Sequence, residues 1–173
     1  MRLFVAVLPP AAAVDHLRGA VERLNVVRAD AGVVRPDRWH LTLAFLGEVG
    51  DPEDVRGRLT DLVAAGRSAT VSLAGSGRFG ERVLWAGVGG DVDGLSRTAS
   101  AVRLLAPEPM PFRAHLTLAR PRGRVTRDEL RADVAALRDY AGPSWPADEI
   151  HLMRSIAGTY EPQASWRLRP AQA

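Results

Sequence analysis

His40-Leu41-Thr42-Leu43-Ala44 returns letter for letter as His115-Leu116-Thr117-Leu118-Ala119, 75 positions further on, in a chain of 173 residues with only four histidines. Polar and apolar residues alternate in both copies, the period of a strand with one face in a core. Leu41 and Leu43 then face one way and His40 and Thr42 the other; Leu116 and Leu118 stand likewise against His115 and Thr117. A lone strand histidine is most often structural or solvated. A scarce residue type that heads both copies of a repeat is a different observation. Two strands that each aim an imidazole and a hydroxyl at one surface describe two halves of one site.

Composition narrows the chemistry. All 23 basic residues are arginine, so the pI is about 10.4 although the formal charge is only +3. That bias fits a GC-rich coding sequence and is weak evidence for a nucleic-acid partner, although the planar guanidinium fork suits phosphate. With no cysteine, a disulfide framework and a thiolate metal site are excluded. Gly75, Gly77, Gly80, Gly87, Gly89 and Gly90 match neither the dinucleotide fingerprint nor the P-loop, which also needs a lysine. The apolar start MRLFVAVLPP is too short for a secretory signal, and no run approaches the roughly 20 residues of a membrane span. The expectation is a cytoplasmic, monomeric protein with no membrane association, residues 1–173 forming one domain or two small lobes that share a core.

Along the chain, residues 2–8 read as a buried strand closed by Pro9-Pro10. Val14, Leu17, Val21 and Leu24 give a helical stripe, with His16 on its solvated side. A loop at 32–38 leads to the first motif strand, 39–46. There Trp39 faces the core, and Phe45 has two readings: core packing, placed first, or a platform for a nucleobase. Gly50-Asp51-Pro52 opens a helix to about residue 65, burying Val55, Leu59, Leu62 and Val63. Strands follow at 69–79 and 82–88, with Trp85 inside, then a helix at 92–105. Pro107 to Pro111 makes a stiff connector to the second motif strand, 113–120. Thr126 to Glu129 is a capping box for a helix with Leu130, Val134 and Leu137 on its apolar stripe, and Gly142 to Pro146 breaks it. Two last strands, 148–156 and 159–168, carry His151, Tyr160 and Trp166; His151 has no motif partner and reads as structural. The order predicts an α+β fold with sheet and helices segregated.

The paired His-x-Thr motifs resemble those of the two-histidine phosphoesterases, in particular the RNA 2′,3′-cyclic phosphodiesterases, also described as 2′-5′ RNA ligases. The opening MRLFVAV, the stretch HLTLAFLGEV from His40, Val83 to Val88, and Arg154-Ser155 followed by Gly158 and Tyr160 are similar to that family in the same order. Ala114 departs from it, since a proline often precedes the second histidine there; this touches the start of the strand and not the chemistry.

The resemblance implies two pseudo-symmetric lobes, each an antiparallel sheet backed by helices, across a central cleft, with His40 and His115 on central strands of opposite lobes. It implies RNA 3′ ends or nucleoside 2′,3′-cyclic phosphates as substrates, opened to a 2′-phosphomonoester. His40 is then the general acid for the 3′ oxygen and His115 the base for water, an order the residues themselves leave open. Thr42 and Thr117 would donate to the phosphoryl oxygens, and Arg120 matches a phosphate-contacting arginine of the family's second motif. No cofactor and no metal are expected: zinc or iron needs three or more ligands, commonly with a carboxylate, and neither motif has Asp or Glu beside its histidine on that face. One neutral and one charged histidine predict a bell-shaped rate profile with limbs on either side of neutrality. A non-catalytic RNA- or nucleotide-binding module of the same fold is the alternative, and 2′-5′ ligation would be a side activity of the same site.

Overall fold

The computed structural model describes residues 1–107 and 111–172. The opening run becomes β1 (Arg2–Val7), followed by α1 (Ala11–Val21), α2 (Asn25–Arg28), β2 (Leu41–Glu48), α3 (Pro52–Val63), β3 (Ala69–Phe79), β4 (Val83–Gly90) and α4 (Val92–Val102). After these come β5 (His115–Ala119), α5 (Arg127–Ala136), β6 (Trp145–Ala147), β7 (Glu149–Ile156) and β8 (Thr159–Arg167). Alternation in β1 sends Leu3, Val5 and Val7 into one core with Leu17, Val21, Leu59 and Leu95 from the helices. Phe4 and Ala6 point to the opposite face, where they form a small cluster with Met153.

All eight strands form one antiparallel sheet in the order β6-β3-β4-β5-β2-β1-β7-β8. Its two halves, β2-β1-β7-β8 and β5-β4-β3-β6, are joined, among the described residues, by the single strand pair Leu41↔Leu116. In both halves the chain runs from a strand through a helix to the motif strand and on to a second helix. The α+β, two-lobed expectation holds. The motif strands stand at the centre of the whole sheet, but each is the inner edge of its own half rather than a central strand.

Three elements differ from expectation. The first helix stops at Val21; Leu24 still reaches the core, but on extended backbone that caps the separate short α2. The segment 142–146 was expected only to break a helix, yet Trp145–Ala147 pairs with Ala69–Val71 as an edge strand. Pro146 is compatible with that because an edge strand needs hydrogen bonds on one side only. Leu62 is half-buried, whereas Val55, Leu59 and Val63 are buried as expected. Of the connector, residues 108–110 lie outside the described residues.

Local capping sets the helix starts. Asp51 accepts from the backbone N–H groups of Glu53 and Asp54, and Thr126 with Glu129 forms the reciprocal capping box. Asp133 on α5 is 2% exposed. Its carboxylate accepts from the Asn25 backbone N–H at 2.7 Å, the Asn25 side-chain amide at 3.0 Å and the Val26 N–H at 3.0 Å, tying α2 to α5. No described helix is long and apolar enough to cross a membrane. Asp133→Ala strands two backbone donors, the buried Val26 N–H and the part-buried Asn25 N–H, and should lower the unfolding free energy by about 2–4 kcal/mol, measured by urea denaturation; a loss under about 0.5 kcal/mol would show that water replaces the carboxylate.

Candidate active site

Each motif strand carries a one-residue bulge at the same place. Val5 pairs with Ala44 and Ala6 with Thr42, which leaves Leu43 without a partner. On the other half Leu84 pairs with Ala119 and Trp85 with Thr117, which leaves Leu118 over. An extra residue shifts the phase of a strand, so the side chains beyond it swap faces. Leu43 and Ala44 are both buried, as are Leu118 and Ala119. Phe45 and Arg120, which strict alternation would bury, therefore emerge beside Thr42 and Thr117 on the open face.

That corrects the first reading of Phe45: it is 67% exposed and lines the cleft instead of packing in the core. Trp39 does pack inside, 4% exposed, with its indole N–H donating to the Val34 carbonyl at 2.9 Å. Trp85 was expected inside and is not. It is half-buried on the cleft face, where its ring fills space that a side chain at Gly77 would occupy.

The cleft is a cavity of about 460 Å³, and His40, Thr42, Phe45, His115, Thr117 and Arg120 all line it. All six residues singled out in the sequence are thus brought together. Among the described residues no carboxylate lines the cavity, and no group of three His, Cys, Asp or Glu could hold a metal ion. A second hollow of about 410 Å³, between α3, α4 and the C-terminal segment, contains neither histidine.

The two imidazoles are held alike. His40 Nδ1 lies 2.8 Å from the Arg38 carbonyl and His115 Nδ1 lies 2.7 Å from the Arg113 carbonyl. A carbonyl can only accept, so in both rings Nδ1 carries the proton and Nε2 is the free nitrogen. Aromatic rings fix the planes. His40 sits 5.1 Å from both Phe4 and Tyr160, while His115 sits 5.0 Å from Phe79 and 6.2 Å from Trp85, centroid to centroid. The Arg38 guanidinium lies 6.0 Å from the Tyr160 ring and that of Arg113 lies 5.6 Å from the Trp85 ring. The same two arginines thus supply the carbonyl that orients each histidine and a cation over the aromatic wall beside it.

Burial holds both imidazole pKa values below the ordinary 6.5; the backbone hydrogen bonds oppose that shift, and the Arg120 charge adds to it at both rings. His16 and His151 stay out of the cavity. His16 is exposed and meets the Tyr140 hydroxyl at 2.9 Å. His151 is cross-strand from Ala6, which is itself cross-strand from Thr42. It therefore shares the motif's face but stands two strands away, roughly 10 Å by strand spacing.

Sequence reasoning missed the aromatic walls and the two stacking arginines. Phe4 stands in a run that is apolar throughout and gives no alternation to read. The arginines did leave a signal: both copies of the repeat are preceded, two residues ahead, by Arg38 and Arg113.

A fold of two half-sheets meeting at paired His-x-Thr strands defines a class, and the comparisons agree with it. The family model described as the 2′-5′ RNA ligase superfamily matches residues 7–159, and the chain belongs to that superfamily. Among curated relatives, an RNA 2′,3′-cyclic phosphodiesterase of Aeropyrum pernix is 32% identical over 154 residues, 80% of this chain and 86% of the relative. One of the same name from Archaeoglobus fulgidus is 32% identical over 166 residues, 89% of each chain. Among solved structures, E. coli LigT complexed with ATP aligns with a TM-score of 0.74 at 26% identity, covering 97% of this chain and 98% of LigT. LigT complexed with 3′-AMP gives 0.71 at 27%, with the same coverage.

The depressed pKa values can be read directly by following the imidazole signals of His40 and His115 in an NMR pH titration. Both should titrate below 6.5 in the free protein. Because the unfolded chain then binds more protons, their contribution to stability should fall as pH drops through 6.5 toward those lower values. Midpoints above 6.5 would mean that an unrecognised acceptor stabilises the charged rings.

Proposed function

We propose that this protein hydrolyses RNA 2′,3′-cyclic phosphate termini to 2′-phosphomonoester ends by metal-independent acid–base catalysis. The observation that carries the reading is the matched pair of imidazoles, each with Nδ1 anchored to a carbonyl and Nε2 free, in a cavity lined by two threonines and two arginines, Arg2 and Arg120, with no carboxylate among its described lining residues. The relatives named RNA 2′,3′-cyclic phosphodiesterase support the substrate class.

Opening the ring requires water to lose a proton as it attacks phosphorus and the 3′ oxygen to gain one as it leaves. A neutral imidazole takes the first proton on Nε2, while a protonated one delivers the second from Nε2; the backbone carbonyl keeps Nδ1 protonated in both states. His115 is the base and His40 the acid. The pairing Leu41↔Leu116 sets His40 on the Thr117 side of the seam, toward Arg120. Neither Thr42 nor Thr117 makes a side-chain hydrogen bond to protein among the described residues, so both hydroxyls are available to the non-bridging oxygens, and Arg120 supplies the balancing charge. Phe45 presents an open face to a nucleobase. A bound phosphate monoanion raises both histidine pKa values, so one ring can be charged in the complex although burial disfavours it in the free protein.

The test is an RNA ending in 2′,3′-cyclic phosphate, incubated with protein and EDTA. A 2′-phosphate end is expected; dependence on an added divalent ion, or a 3′-phosphate product, would contradict the reading. Thr42→Ala and Thr117→Ala should each reduce turnover roughly 10²- to 10³-fold, as loss of an oxyanion donor does, with the thermal transition unchanged. Wild-type turnover by both variants would assign the hydroxyls no part.

The pH profile follows from the sign of the shifts. With both free-protein pKa values below 6.5, the bell for kcat/KM should peak on the acid side of that value, a revision of the limbs expected around neutrality. With an activated phenolic leaving group, which needs little protonation, His40→Ala should keep a substantial rate and His115→Ala should not. The opposite pattern would exchange the roles, and equal retention on all substrates would favour a binding module.

A further inference from the structure

The two halves of the site match through five residues and differ at the sixth, where Phe45 follows one pentapeptide and Arg120 the other. Because β2 and β5 are antiparallel about Leu41↔Leu116, these residues lie at opposite ends of the cavity floor, in the order Arg120, His40 with Thr117, His115 with Thr42, Phe45. Phe45 marks one end, where Arg2 of β1 also reaches the cavity, and Arg120 marks the other, around which further arginines gather.

Three loops meet around the Arg120 end. The loop at 30–34 is bound to the end of β5, with the Arg120 N–H on the Gly32 carbonyl and the Val34 N–H on the Leu118 carbonyl, both at 2.8 Å. Gly32 has φ +62, and a Cβ there would strike the Arg120 carbonyl, so only glycine allows this approach. The β3–β4 hairpin contributes Phe79 and Val83 to the cavity wall. Its tip is linked to α5 by Glu81–Arg127 at 3.3 Å, and Arg124 donates to the Asp30 carbonyl at 3.0 Å. Residues 30–34, 78–83 and 120–131 together hold seven arginines and four carboxylates, a surplus of three that equals the formal charge of the whole chain, +3. Arg82 and Arg122 are exposed and make no side-chain hydrogen bond or ion pair among the described residues.

The chemistry of the substrate selects an orientation. In a nucleoside 2′,3′-cyclic phosphate the phosphorus bridges C2′ and C3′; the base stands on C1′, beside C2′, and the 5′ chain on C4′, beside C3′. With the phosphate on the floor, base and chain therefore leave toward opposite ends. The geometry points to an RNA track over the arginine rim: the terminal base lies on Phe45, and the preceding nucleotides run past Arg120 with their phosphodiesters on Arg82 and Arg122. The inference rests on the cyclic-phosphate reading of the site and adds to it a direction and a surface.

The experiment compares kcat/KM for an eight-nucleotide RNA ending in 2′,3′-cyclic phosphate with that for 2′,3′-cyclic AMP, in 50 and 200 mM salt, for wild type and the double variant Arg82→Ala/Arg122→Ala. Wild type should prefer the oligonucleotide at low salt. Loss of two phosphate contacts should lower oligonucleotide kcat/KM about tenfold and reduce the slope of log kcat/KM against log salt by about 1.4, at roughly 0.7 per single-strand phosphate. Cyclic AMP turnover should stay within twofold, which also shows the variant to be folded. Equal kcat/KM for both substrates in wild type, or an unchanged oligonucleotide rate and slope in the variant, would overturn the track while leaving the site reading intact. Failure of wild type on both substrates would overturn the site reading and the track with it.

Discussion

A one-residue slip of phase in each motif strand is the constraint on which the site depends. Without it, Phe45 and Arg120 would follow Leu43 and Leu118 into the core, where a guanidinium could not remain unpaired. With it, Leu43-Ala44 and Leu118-Ala119 both turn inward, and the sixth residue of each copy joins the histidine and threonine on the open face. The slip also explains why the fourth and fifth residues are a large and a small apolar residue in both copies: two successive side chains must enter the core opposite the space of one, Val5 on one side and Leu84 on the other.

The seam is the second determinant. Among the described residues the half-sheets pair only through Leu41↔Leu116, so the motif strands come close at their starts and leave room on the exposed face. Each histidine stands at that start, where the residue two positions earlier still has its carbonyl free. The ring takes up that carbonyl, and the bond fixes the tautomer. Orientation of both imidazoles thus follows from where strand pairing begins, and the aromatic walls of Phe4, Tyr160, Phe79 and Trp85 hold the ring planes.

Much of this was legible in the sequence, because the motif is a repeat and repeats survive as symmetry. Alternation identified the faces of His40, Thr42, His115 and Thr117, and the caps at Asp51 and Thr126 marked helix starts correctly. What escaped depended on pairing between distant segments. The bulges exist only relative to Val5 and Leu84, so alternation alone misplaced Phe45. Trp85 reads as core until Gly77 is known to lie across from it. Pro146 reads as a breaker until its strand is known to be an edge, and the place of His151 relative to the motif cannot be read until Ala6 is seen between it and Thr42.

The central claim is that His40 and His115 act as one unit on a single phosphoryl group. Groups that act together are non-additive when removed. The measurement is kcat/KM on an RNA 2′,3′-cyclic phosphate for His40→Ala, His115→Ala and the double variant. Each single replacement should cost roughly 10²- to 10⁴-fold, and the double variant should fall within a few-fold of the worse single. Losses that multiply, or a single variant with wild-type rate, would contradict the account.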